Sequence, residues 1–203
     1  LKRKLVMCAN NKQTGVTLIE LVVFMVIISV ALVGVLKVLD ITNRSSVDPL
    51  VRKQALSIAE SLLLEIEQQP FTYCDPDDAN VSTATSAAAC TNSQDKGGAA
   101  LTSPTPSSES RYSNTDPFDN VADYGGFTMP GSGCTGVCSP SDTTPLSGLT
   151  GYAVTVTITR AGVAVPFASL ALDEVLKISV RVTGPANTDV SLTGYRVRYA
   201  PNI

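Results

Sequence analysis

The longest apolar stretch of the chain lies near its N-terminus. Val16 to Leu36 is a run of 21 residues with one charged residue, Glu20, and no proline. As a helix, this run would extend roughly 31 Å, about the thickness of the hydrocarbon core of a bilayer. Because a lone segment in lipid satisfies its backbone hydrogen bonds only as a helix, the pattern predicts a membrane-spanning helix over residues 16–39.

A second helical pattern follows this run over residues 40–70. Asp48-Pro49 is expected to interrupt the helix, because proline lacks a backbone donor, and Asp48 would cap a restarted helix. A second, minor apolar row of Leu56 and Leu63 indicates that this helix could be covered on two sides. The main apolar stripe recurs at helical spacing and consists of Val51, Ala55, Ile58, Ala59, Leu62 and Ile66.

The rest of the chain divides into a polar region, residues 71–150, and a region in which apolar and polar residues alternate, residues 151–203. Residues 71–150 are rich in Pro, Ser, Thr, Gly and Asp, and no apolar period is visible in them. Alternating apolar and polar residues then predict three strands, at 152–159, 175–182 and 195–199. The predicted fold class is α+β, with the amphipathic helix packed on an antiparallel sheet formed by residues 151–203.

Composition and charge narrow the function classes. The 203 residues include no His and no Trp, which excludes histidine acid–base catalysis, Ser-His-Asp triads and His-containing metal sites. The 15 basic and 18 acidic residues give a net charge of −3, so nothing indicates nucleic acid binding. Paired carboxylates without a definable pocket specify no reaction, and we therefore expect a protein that is not an enzyme.

Four of the five cysteines lie in the polar region. Cys74, Cys90, Cys134 and Cys138 form an even set, which in an exported domain indicates two disulfides with three possible connectivities. We expect the local pairing, Cys74 with Cys90 and Cys134 with Cys138, because each bond closes a short loop. A zinc site is the alternative, but the chain lacks His and the usual C-x-x-C pairs.

Acidic residues in the same region raise the question of a cation. Asp75, Asp77 and Asp78 form a local group, and oxygen-rich loops suit Ca²⁺. The spacing is not that of an EF-hand, and solvated loop acids explain the group equally well. No other cofactor is expected.

The residues before the apolar run predict the topology. Positive charge stays on the cytoplasmic side, so the N-terminus should be inside and the C-terminal domain outside the inner membrane. A cleaved secretory signal is one alternative, but the apolar run is long and leads into Lys37 and Asp40 without a small-residue cleavage site. A plain membrane anchor is another. The positive residues are Lys2, Arg3, Lys4 and Lys12.

The boundary sequence, residues 13–21 (QTGVTLIEL), resembles the class III signal of type IV pilins and type II secretion pseudopilins. In this resemblance Gly15 precedes the cut, Glu20 is the fifth mature residue, and Val16 is the new N-terminus, where Phe is most common in the family. The resemblance implies that a prepilin peptidase removes the leader, residues 1–15 with Cys8, and methylates the Val16 amine. It also implies that other pilin subunits are partners through the helix.

Glu20 has a physical argument of its own. A carboxylate near the membrane interior costs about 2.5 kcal/mol or more unless it finds a partner. Cleavage after Gly15 would create an amine on Val16, one helical turn away, in the same or a neighbouring subunit. The resemblance implies pairing across subunits, which sets their register during assembly. The alternative is an interfacial Glu that faces the lipid headgroups.

A second resemblance points to a subdivision. Residues 118–127 and 48–55 resemble segments of MshD-like minor pilins from mannose-sensitive haemagglutinin (MSHA) pili. This implies a structural subunit that passes from the inner membrane into an extracellular pilus and contributes to assembly, initiation or tip adhesion, with an unknown surface target. One alternative is a minor pseudopilin of a type II secretion system. Another is a monomeric bitopic binding module with an accidental motif.

Overall fold

A computed structural model describes residues 15–94, 100–101, 107–131, 133–200 and 202, without the side chains of 42–48 and 100. The predicted leader up to residue 14, with its basic residues and Cys8, lies outside the described residues, and so does the predicted capping by the Asp48 side chain. The chain divides into two compact units, with the boundary between Ser46 and Val47.

One helix, α1, runs from Leu18 to Gln68 and contains Pro49 within its 51 residues. The sequence predicts an interruption at Asp48-Pro49, whereas the structure keeps helical backbone through this point. Proline removes one backbone donor but holds φ near the helical value, so a long helix can continue through it.

The first unit holds the apolar part of α1. Among the described residues, one segment is long and apolar enough to cross a bilayer, Leu18–Ile41, with 24 residues. None of this segment is buried within the chain. It overlaps the predicted span, residues 16–39.

The second unit is built on a five-stranded antiparallel sheet. The strand order is β1-β3-β4-β5, and β2 pairs with β3 beside β1. Val156 of β3 lies opposite Val180 of β4, which lies opposite Leu192 of β5. The strands are β1 (Ala100–Leu101), β2 (Thr128–Met129), β3 (Ala153–Arg160), β4 (Val175–Gly184) and β5 (Thr188–Val197).

One face of this sheet and one stripe of α1 form the core. On β4 the predicted alternation is confirmed, since Ile178, Val180 and Val182 are fully buried and Lys177 and Arg181 are exposed. The same core contains the helix residues Val51, Ala55, Ala59, Leu62 and Ile66. The architecture is α+β and fits the predicted pilin fold.

The second apolar row of α1 is covered unevenly. Leu63 is half-buried against the core, whereas Leu56 is 36% exposed. Ile58, which the sequence assigns to the main stripe, is also only half-buried. The helix is therefore packed mainly along one stripe.

The last strand differs from its prediction. β5 begins at Thr188, well before the predicted start at Tyr195. The sequence pattern missed the first half of this strand because it contains Asp189 and Gly194, which are poor strand formers. Gly194 is buried, and a Cβ there would collide with the Glu67 carboxylate of α1. Glycine therefore allows β5 to approach the helix closely.

This approach decides which face of β5 is inside. Tyr195 points away from α1, is 44% exposed and contacts the Phe167 ring at 5.1 Å between centroids. The Arg198 side chain is only 2% exposed. Its guanidinium lies 4.2 Å from the ring centre of Phe71 and 4.8 Å from that of Tyr73. Arg198, which directly follows β5, is thus packed against the rings of Phe71 and Tyr73 in cation–π contacts.

The polar region between helix and main strands has more structure than its sequence predicts. It supplies β1 and β2 to the sheet and forms a short 3₁₀ helix, Val121–Tyr124. Disulfides join Cys74 to Cys90 and Cys134 to Cys138, which are the pairs expected from short loop closure.

Candidate functional sites

The N-terminal segment carries the predicted processing and assembly residues. The structure describes Gly15 and Val16 just before α1, with Val16 69% exposed. Thr17 accepts backbone hydrogen bonds from Glu20 and Leu21 at 3.1 and 3.2 Å, which starts the first helical turn. Glu20 lies in that turn, where a carboxylate interacts favourably with the positive end of the helix dipole.

The apolar side chains that follow Glu20 are exposed in the described part of the chain. Each large apolar side chain from Leu21 to Ile41 that the structure describes is at least 40% exposed, including Ile28 at the lowest value. A continuous bare apolar surface of this length is unstable in water. A surface of this kind is compatible with membrane anchoring.

A buried ion pair between Arg111 and Glu65 links the part of α1 in the second unit to the polar region. Arg111 binds both carboxylate oxygens of Glu65, through Nε and an Nη atom, each at 2.7 Å. A second Nη atom donates to the carbonyl oxygen of Cys138 at 2.9 Å. The Tyr124 hydroxyl also donates to Glu65, at 2.9 Å. Burial and then the Glu65 carboxylate raise the pKa of Tyr124, so this hydroxyl stays a donor.

The second candidate site is organised around a buried asparagine. Asn120 caps the 3₁₀ helix, since its side-chain oxygen accepts from the backbone of Ala122 at 2.8 Å and of Asp123 at 3.2 Å. Asp123 accepts from the Asn120 backbone at 3.0 Å, which completes a capping box. The Asn120 amide donates to Asp75 at 2.9 Å and so links this turn to the segment that follows α1.

Four carboxylates converge at this point. We call Asp75, Glu109, Asp119 and Asp123 the carboxylate cluster, because one oxygen from each lies within 4.8 Å of the others. Asp75, Glu109 and Asp123 are buried and Asp119 is half-buried. Both oxygens of Glu109 and one of Asp119 have no hydrogen-bond partner in the described part of the chain.

Crowding of like charges in a buried place changes the acidity of these groups. Burial, followed by repulsion from Asp123, raises the pKa of Glu109 to about 10. Burial is also the first cause that raises the pKa of Asp119 to about 7 and that of Asp75 to about 6. The folded chain therefore disfavours the fully ionised cluster unless a positive charge compensates it.

The predicted calcium group is only partly present in this cluster. Of Asp75, Asp77 and Asp78, only Asp75 belongs to the cluster. The Asp78 carboxylate instead accepts backbone hydrogen bonds from Asn80 at 2.8 Å and Asn92 at 2.5 Å, which lower its pKa. Asp78 thus holds the loop closed by Cys74 and Cys90, and Asp77 is exposed. Proximity in sequence was a poor guide because adjacent loop residues point in different directions.

Three members of the cluster, Glu109, Asp119 and Asp123, were missed by sequence reasoning. Glu109 carries no local pattern that marks it. Asn120 and Asp123 do carry a signal, because their spacing of three is that of a capping box and predicts a short helical turn. That signal would locate the turn but not the carboxylates that meet there.

Comparison with family models finds a match at the N-terminus. Residues 10–36 match the family model of the prokaryotic N-terminal methylation motif. The matched segment includes Gly15, Val16 and Glu20 and the first part of α1. No curated protein and no solved structure matches the chain. The chain thus carries a class III signal, which is compatible with membrane anchoring through α1.

Proposed function

We propose that the chain, which carries the methylation motif of type IV pilin-like proteins, is a structural minor pilin of an MSHA-like type IV pilus. The match over residues 10–36, which leads directly into the exposed apolar part of α1, supports a pilin-like or pseudopilin protein. The finer assignment rests on the resemblance of residues 48–55 and 118–127 to segments of MshD-like minor pilins. The motif indicates a structural protein. The subunit would serve pilus assembly, initiation or tip adhesion.

Processing is the first step of this function. A prepilin peptidase cuts between Gly15 and Val16 and methylates the new amine. Before assembly, α1 spans the inner membrane with the basic leader in the cytoplasm, since positive charge is retained there. The second unit is then in the periplasm, an oxidising compartment that suits its two disulfides.

Assembly uses the exposed apolar surface of α1. In the membrane, lipid covers the apolar side chains between Leu18 and Ile41; in the pilus, the same surface packs on the helices of other subunits. Glu20 pairs with the Val16 amine of a neighbouring subunit. Because an unpaired carboxylate is costly in an apolar bundle, this ion pair selects one axial register.

Mass spectrometry of the mature protein from its native host tests the processing step. The expected product is residues 16–203 with one added methyl group. A variant with Gly15→Trp should stay at precursor length, whereas Gly34→Ala, in the same helix but outside the cleavage point, should be processed normally. A mature chain that retains the leader would contradict the proposal.

The alternative is a minor pseudopilin of a type II secretion system, which the same motif supports. The two functions differ in where the mature protein resides. A pilin is expected in sheared extracellular filaments, and its deletion should leave protein secretion intact. A pseudopilin should stay with the cell envelope, and its deletion should block secretion.

A further inference from the structure

We propose that the carboxylate cluster binds one Ca²⁺ ion, which holds the polar region of the second unit together. The inference does not rest on the proposed function, since it concerns only side chains within the folded second unit. It starts from the convergence of four carboxylate oxygens within 4.8 Å of one another.

The second observation is the state of Glu109. Glu109 is only 5% exposed, and both of its carboxylate oxygens lack a hydrogen-bond partner among the described residues. A buried carboxylate without a partner is costly and is rarely retained unless it coordinates a metal or is protonated. Because Glu109 points into a group of three further carboxylates, a cation bound there would give Glu109 a partner and offset the like charges around it.

The neighbouring hydrogen bonds hold the other members in place without using up their oxygens. Asp75 accepts from the Asp77 backbone and from the Asn120 amide, both at 2.9 Å. Asp123 accepts from the Asn120 backbone at 3.0 Å. Each carboxylate oxygen has a further lone pair that can bind a metal, and such outer hydrogen bonds orient the ligands of metal sites.

The ligand set favours Ca²⁺ over other divalent ions. Carboxylate oxygens are hard ligands, and the four cysteines of the second unit are engaged in disulfides, so a zinc site is disfavoured. Ca²⁺ binds oxygens at about 2.3–2.6 Å, which places opposite ligands about 5 Å apart and accommodates the cluster. Mg²⁺ is smaller and retains several waters, so four protein carboxylates in a buried place suit it less.

Binding would join three parts of the chain that are distant in sequence. Asp75 follows α1, Glu109 belongs to the segment before Arg111, and the other two flank the start of the 3₁₀ helix Val121–Tyr124. The ion would therefore act as a cross-link in a region with few regular hydrogen bonds. Any ligand that binds only the folded state raises the unfolding temperature.

The test uses the full chain in a mild detergent, stripped of metal with a chelator. All six tyrosines lie in the second unit, so the tyrosine circular dichroism signal reports its unfolding. We expect 1 mM CaCl₂ to raise Tm by about 5 °C or more, and equilibrium dialysis with metal analysis to find one Ca²⁺ per chain. MgCl₂ at the same concentration should raise Tm much less.

Two variants separate binding by the cluster from a general effect of calcium. Glu109→Gln should abolish the calcium-dependent shift and leave the metal-free protein about as stable, because glutamine has nearly the same size and shape as glutamate. Asp189→Asn, which removes an exposed carboxylate on β5, should keep the full shift. If Glu109→Gln does not fold, Asp119→Asn takes its place, since Asp119 is only half-buried.

Three results would overturn the proposal. The first is a Tm that does not respond to calcium, together with no bound ion in dialysis, as expected if Glu109 and Asp123 share a proton instead. The second is an equal shift with Mg²⁺, which would remove the assignment to calcium. The third is a calcium shift that both cluster variants, Glu109→Gln and Asp119→Asn, retain in full.

Discussion

Arg111 contacts both α1 and the polar region of the second unit. Its guanidinium forms a bidentate ion pair with Glu65 of α1, donates to the Cys138 carbonyl, and lies 5.6 Å from the Phe127 ring centre. Its side chain is 5% exposed and that of Glu65 is 18% exposed. A buried pair of this kind contributes less through its Coulomb energy than through the cost of leaving one charge alone.

Replacing Arg111 by alanine should therefore destabilise the second unit by about 3 kcal/mol, because Glu65 would be left half-buried without its ionic partner. Arg111→Lys should recover only part of this loss, since an ammonium cannot form the bidentate pair. Urea unfolding of the full chain in detergent, followed by the tyrosine signal, measures both effects.

The matched control is the exposed ion pair of Arg181 and Asp189, whose side chains are 59% and 49% exposed. Arg181→Ala should change stability little, because solvent screens that pair. Equal losses of unfolding free energy from Arg111→Ala and Arg181→Ala would show that the buried ion pair contributes no more to stability than the exposed one.

At the scale of elements, the polar region depends on cross-links more than on regular structure. The bond between Cys74 and Cys90 spans 16 residues and that between Cys134 and Cys138 spans 4. β1 and β2 contribute only two residues each to the sheet. Short strands and loops of this kind bury little apolar surface, so covalent closure has a large share in ordering them.

Removal of each disulfide should lower the unfolding free energy, and somewhat more for the longer loop, because the chain-entropy term grows with the logarithm of loop length. By chain entropy, the double change Cys74→Ser and Cys90→Ser should cost about 3 kcal/mol, and Cys134→Ser with Cys138→Ser about 2 kcal/mol. Cys8→Ser should have no effect on the mature protein, because Cys8 lies in the predicted leader. The same urea titration measures all three, and thiol titration of the protein purified from its native host should find no free thiol. Two or more titratable thiols would contradict the disulfides themselves.

At the scale of the whole molecule, the two units have opposite relations to water. The second unit buries its apolar stripe against its own sheet, whereas α1 from Leu18 to Ile41 leaves its apolar side chains exposed on all sides. A helix that is apolar around its circumference is one that a membrane or other helices must surround. In the proposed function, lipid surrounds this helix before assembly, and the helices of other subunits surround it in the pilus. Glu20 is the one charged residue between Leu18 and Leu36.

Glu20→Ala should leave membrane insertion and cleavage largely intact, because alanine enters lipid more easily than a carboxylate. Incorporation into sheared filaments should fall roughly tenfold, which corresponds to loss of an ion pair worth about 1.4 kcal/mol. Asp40→Asn, at the other end of the apolar segment, is the control and should assemble normally. Filaments that contain the Glu20→Ala chain at the level of the unaltered chain would contradict the register role.

The sequence alone determined the features whose cause is local along the chain. The apolar run, the stripe of α1 from Val51 to Ile66 and the alternation of β3 and β4 are periodic patterns, and each period implies its own backbone geometry. The class III signal is contiguous, so it is legible without a fold. The short disulfide loops belong to the same group, since nearness in sequence favours their closure.

Tertiary structure decided the features that depend on residues far apart in sequence. Glu65 and Arg111 are separated by 46 positions, and Asp75 and Asn120 by 45, so no local pattern marks either pair. The inner face of β5 was likewise decided by the approach of Gly194 to α1, against the alternation visible in Tyr195 and Val197. The carboxylate cluster exists only because folding brings three segments to one point, where burial raises the pKa values of ordinary loop acids.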